Sequence, residues 1–152
     1  IKDGALTPSK VPKGKTRICV VGYTHSSPTA KAHRIAAKIA ANFPDQYESW
    51  YYFDMYSCFQ FAQERTKKEH FPEHLKGHAT SPFVYLEGDD GSFSPIGGAI
   101  DFSRWAMKNF KKDGGSVAET IVFTEAKTAF RFSHYITGES FHMYLPAGTA
   151  AQ

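Results

Sequence analysis

The chain has 152 residues, enough for one domain with extensions, and 41% of them are hydrophobic, enough for a real core. Its apolar runs all fall well short of the roughly 20 residues that a membrane-spanning helix needs. The net charge of +3 is mildly basic, but no basic stripe interleaves with stacking aromatics, so nucleic acid is not an expected partner. Aromatic residues reach 15%, which on a small chain calls for a large core or a partner surface.

Residues 1–15 are rich in Lys, Pro and Gly and read as a solvated arm, with Arg17 counted among its charges. Ile18-Cys19-Val20-Val21-Gly22 is a short continuous apolar run and predicts a central strand buried on both faces. After a loop, Ser27 reads as a helix N-cap with Pro28 at the first helical position. Ala32, Ile35, Ala36, Ile39 and Ala40 then recur at helical spacing as far as Asn42, and Phe43-Pro44 ends the helix. Tyr47 to Phe53 reads as a second strand, whose run Trp50-Tyr51-Tyr52-Phe53 is expected to be buried with one face against helices. These pieces make a β-α-β unit with a right-handed crossover.

A further helix is expected over 57–68, broken by Pro72, with a turn before His78. Phe83-Val84-Tyr85-Leu86 is a third strand, Glu87 to Gly91 a hairpin turn, and Ser92 to Ile96 a fourth strand. Ile100 to Phe110 reads as a helix with Ile100, Trp105, Ala106 and Phe110 inward. Asp113-Gly114-Gly115-Ser116 reads as a linker. Beyond it, Thr120 to Phe123, Ala129 to Ile136 and Phe141 to Leu145 alternate apolar and polar residues and predict two or three short strands. The expected organisation is an N-terminal arm (1–15), an α/β domain (16–112) and a β-rich C-terminal extension (113–152).

Thr80-Ser81-Pro82 entering a strand, followed by Gly97-Gly98 opening a helix, all after a β-α-β unit, resembles the ligand-facing edge of the glutaredoxin branch of the thioredoxin fold. The resemblance covers residues 17–111. It implies an α/β, thioredoxin-like domain of order β-α-β-α-β-β-α, with a central mixed four-stranded sheet flanked by helices. It also implies a groove shaped for an extended peptide such as glutathione. In that groove a cis Pro82 would turn the backbone of Ser81 toward the ligand, as a new strand pairs with a sheet edge. The N–H groups of Ala99, Ile100 and Asp101, following Gly98 at a helix N-terminus, would hold the γ-glutamyl carboxylate, and Asp101 would receive its amine. His25, Ser27 and Thr80 complete the implied groove.

The family's reactive cysteine motif falls on Ser27-Pro28-Thr29-Ala30, or begins at Ser26 if shifted by one residue. A helix N-terminus lowers a thiol pKa enough to form a thiolate, but it does not make an alkoxide of serine at neutral pH. Thiol–disulfide exchange at this position is therefore not expected. The basic residue that the family places before its motif falls on Thr24, with His25 beside it. Ser27 has two readings: a helix cap, or a hydrogen-bond donor to a glutathione thiolate, as Ser serves in some glutathione transferases.

The expected function is a redox-inactive, structural or protein-binding subunit of a larger assembly, with the arm and the extension as contacts to protein neighbours. The alternative is a glutathione-binding protein or transferase-like enzyme using Ser27. No resident cofactor is expected; glutathione belongs to the alternative alone.

Cys19 and Cys58 are too few for a cysteine zinc site and too far apart for a Cys-x-x-Cys pair. Both read as packing residues, with a reductase working through Cys58 as a third, minor reading. His70, His74 and His78 recur every four residues, but Pro72 interrupts that helix and Gly77 weakens it. They read as a solvated, charged surface, and no metal site is expected. The first residue is Ile, so the chain is expected to be processed or trimmed, and its compartment is not legible.

Overall fold

A computed structural model describes residues 9–23, 26–54 and 82–131, with the side chains of Phe53 and Asp54 excepted. Four strands and three helices lie among them: β1 (Thr16–Tyr23), α1 (Ser27–Asn42), β2 (Tyr47–Asp54), β3 (Phe83–Gly88), β4 (Phe93–Gly97), α2 (Ala99–Asn109) and α3 (Val117–Arg131). The sheet order is β2-β1-β3-β4; β1 runs parallel to β2 and antiparallel to β3, and β3 is antiparallel to β4. This is an α/β arrangement around a mixed four-stranded sheet. The helix expected over 57–68, and the histidines at 70, 74 and 78, lie outside the described residues.

Strand β1 lies inside the sheet, as its apolar run requires. Ile18 and Val20 point to the face that carries the helices, where they join Tyr51, Val84, Ile35, Ile39, Phe102 and Phe110 in the main core. Alanines at positions 32 and 36 of α1 are fully buried, so the helix backbone can approach the sheet closely. Arg17, Cys19 and Val21 point to the opposite face, flanked across the ladder by Trp50, Tyr52, Phe83 and Tyr85, all buried. Trp50, Tyr51 and Tyr52 of β2 are thus buried, on both faces of the sheet.

Arg17 does not belong to a solvated arm. It is 3% exposed, and its Nε and Nη2 both reach Glu48 Oε1 at 2.6 Å. Its Nη1 lies 3.9 Å from Glu87 Oε2 and donates to the Ser9 carbonyl at 2.5 Å. The residues just before it are held as well: Val11 is buried, and the Gly14 N–H donates to Asp89 Oδ2 at 2.8 Å. Burial removes Arg17 from water, and the two carboxylates replace that solvation.

The β3–β4 turn follows from Asp90-Gly91. Gly91 takes φ 82°, its N–H donates to the Gly88 carbonyl, and the Gly88 N–H donates to the Ser92 carbonyl. This is a three-residue hairpin loop with a left-handed glycine. Counting alternate pairs from Gly88 and Ser92 places the ladder bonds at Leu86–Ser94 and turns the backbone of Pro95 outward. A proline there costs no ladder bond and blunts the edge.

The C-terminal reading needs correction. Residues 117–131, expected to begin a β-rich extension, form helix α3, which packs against α1 and α2. Val122, Ala126 and Ala129 are buried in the same cluster as the rest of the core. The Ser116 hydroxyl accepts from the Glu119 N–H at 3.2 Å and its carbonyl from the Thr120 N–H, so Ser116 caps the helix. Asp113 to Ser116 is a helix-to-helix turn, with Gly114 at φ 72°. The strands expected over 132–136 and 141–145 lie outside the described residues.

Arg17→Met is expected to lower the free energy of unfolding by about 3 kcal/mol, the low end for breaking a buried pair, because Glu48 and Glu87 lose their counter-charge. Urea denaturation followed by circular dichroism measures it.

Candidate functional site

The register gathers four chain segments at one end of the sheet. Val21 pairs with Phe83, and Tyr23 with Asp54, so β1 and β2 end where β3 begins. Val84 pairs with Gly97, so β4 ends there too. Helix α1 therefore starts, Pro82 enters β3, and α2 starts, all at the same sheet edge. Two helix N-termini there concentrate unpaired N–H groups and partial positive charge.

At the first of them the N-cap is Ser26, one residue earlier than expected. Its φ of −89° and ψ of 118° are extended, its hydroxyl accepts from the Thr29 N–H at 3.3 Å, and its carbonyl from the Ala30 N–H. Ser27 is consequently the first helical residue and Pro28 the second. Thr29 and Ala30 are buried, whereas Ser27 and Pro28 are half-buried. Of Ser27 and Ala30, only Ser27 meets solvent.

The first turn of α1 carries no acidic residue. Lys31 lies just beyond it, and burial, then the charge of Arg34, lower its pKa. Burial also lowers the pKa of His33, whose ring meets Tyr51 edge-on at 5.2 Å between centroids.

At the second N-terminus Gly98 is the N-cap, with an extended backbone of φ −85° and ψ −169°. Asp101 Oδ2 accepts from the Gly98 N–H at 3.3 Å, so this carboxylate caps its own helix. It lies across Gly97, whose φ is 127° and where an added Cβ would come within 2.3 Å of Asp101 Oδ2. Gly97 is therefore required twice, by its backbone angle and by the carboxylate above it. Asp101 Oδ1 has no hydrogen-bond partner among the described residues. Ile100 and Ala99 are half-buried, and the Ala99 carbonyl is held by the Ser103 hydroxyl at 2.7 Å.

Pro82 is buried at the mouth of β3. His25, Thr80 and Ser81 lie outside the described residues, as does Cys58. Cys19 is fully buried in mid-strand, its Sγ 3.8 Å from Glu87 Oε1 and 4.0 Å from the Arg17 carbonyl. It belongs to the sheet interior and not to the edge where α1 begins. No group of three or more His, Cys, Asp or Glu able to hold a metal occurs among the described residues. No described helix is long and apolar enough to cross a membrane.

One feature lay beyond sequence reasoning. A groove of about 390 Å³ runs between β4 and α2, with Leu86, Pro95, Ile96 and Trp105 as its apolar walls and Asp101, Arg104 and Lys108 at its rim. It joins Leu86 of β3, residues of β4 and one side of α2, and no local spacing announces it. No protein-family model matches the chain, and no curated protein matches its sequence significantly.

Gly97→Ala is expected to cost about 1–3 kcal/mol through backbone strain alone, with the clash against Asp101 added. In an Asp101→Ala background the Gly97→Ala penalty should shrink, because the carboxylate is gone and only the strain and the close contact with the Cβ of residue 101, at 3.1 Å, are left. Thermal unfolding of the four variants in a double-mutant cycle measures this coupling.

Proposed function

We propose that the chain is a thioredoxin-like domain of the glutaredoxin branch that has no thiol at the family's reactive position and serves as a structural or protein-binding subunit. The sheet order, with β1 parallel to β2 and β3 antiparallel to both its neighbours, supports the thioredoxin-like reading. So does the meeting of the α1 start, Pro82 and the α2 start at one sheet edge. The observation that carries the functional reading is chemical: the solvent-reaching position at the start of α1 is Ser27, and its motif partner is the buried Ala30. A hydroxyl there neither forms a thiolate nor enters a disulfide.

The glutathione-binding alternative draws on the half-buried Ser27 hydroxyl and the absence of acid in the first turn of α1. Against it stands position 24: the basic residue that the family places before its motif falls on Thr24, which offers no charge to the ligand's glycyl carboxylate.

Titration calorimetry with reduced glutathione separates the two readings. The expected result is no binding tighter than about 1 mM, a free energy weaker than roughly −4 kcal/mol. Micromolar binding that disappears in Ser27→Ala would replace the subunit reading with the transferase-like one.

A further inference from the structure

Helix α3 carries an unusual outer face. Val117, Ile121, Thr124 and Thr128 are spaced four, three and four residues apart, so they form one stripe about as wide as a helix-packing seam. All four are exposed and uncharged. Val117 is 78% and Ile121 37% exposed, and they are the only large apolar side chains so exposed among the described residues. The stripe lies well away from the buried row of Val122, Ala126 and Ala129, so the packing among the described residues does not use it. An open depression of about 460 Å³ lies against it, with Lys38 of α1 also in its lining.

The charges beside the stripe indicate what fits there. By helical geometry Glu125 borders it on one side and Lys127 on the other. When two such helices lie side by side in parallel, about a two-fold axis along their length, the Glu125 flank of each faces the Lys127 flank of the other. The four-three spacing suits a shallow crossing of about 20°. A face that meets its own kind with uncharged residues in the seam and opposite charges along both borders is self-complementary.

We propose that this face is where a second copy of the chain docks, α3 against α3, with Ile121 at the centre of the seam. The inference rests on the reading of the chain as an interaction subunit and names one surface that it would use. A 15-residue helix is about 22 Å long. Such a seam buries less than the roughly 800 Å² per partner of a standard interface, so the dimer is weak and concentration-dependent.

Sedimentation equilibrium of the full chain over a concentration series tests it. The wild type should shift from monomer to dimer as concentration rises. Ile121→Glu, which places like charges across the seam without touching the core, should weaken association at least about tenfold. Glu125→Lys should also weaken it, and Glu125→Lys with Lys127→Glu should restore it. A wild type that stays monomeric into the high micromolar range overturns the proposal, as does a dimer indifferent to Ile121→Glu. Glutathione calorimetry on the same samples reports on the subunit reading separately, so failure of the seam and failure of that reading are told apart.

Discussion

The guanidinium of Arg17 joins three strands and the segment before them. Glu48 of β2 and Glu87 of β3 flank it across the ladder, and the Ser9 carbonyl receives one of its N–H groups. A buried ion pair is not in itself a large source of stability, because desolvation offsets much of the attraction. What it does supply here is register. If β1 slipped by one residue, Arg17 would turn into the apolar, helix-covered face, and Ile18 and Val20 would leave the core. The position of the sheet edge, and hence of everything mounted on it, follows from that constraint.

At that edge two helices begin, and each carries a side-chain cap from its own chain. Ser26 caps α1, and Asp101 caps α2 while lying over Gly97. The proposed loss of thiol chemistry and a weakened affinity for glutathione then have separate physical origins. One is oxygen in place of sulfur at Ser27; the other is the uncharged Thr24 where the family places a basic residue.

The β-α-β unit was legible because its signals are local. Ile18 to Val21 is apolar without interruption, α1 has alanines and isoleucines at helical spacing, and Asp90-Gly91 marks the hairpin. The start of α1 was placed one residue late because Ser26 and Ser27 are chemically alike, and only backbone angles separate cap from helix. Arg17 was assigned to the solvated arm because nothing local foretells partners 31 and 70 residues away. Thr120 to Phe123 looked like a strand because β-branched residues favour strands. The contrary signal was present: Ser116 followed by Glu119 is a capping-box pattern, and no Gly or Pro interrupts residues 116–131. The stripe on α3 became visible only once that segment was known to be helical.

On the proposed reading, the start of α1 keeps the helix N-terminus that would activate a thiol but carries oxygen where the sulfur would be. Restoring it tests this most directly: Ser27→Cys in a Cys58→Ser background, with the pH dependence of alkylation giving the thiol pKa. The helix N-terminus should bring that pKa at least about one unit below the ordinary 8.5. A value at or above 8.5 would contradict the account.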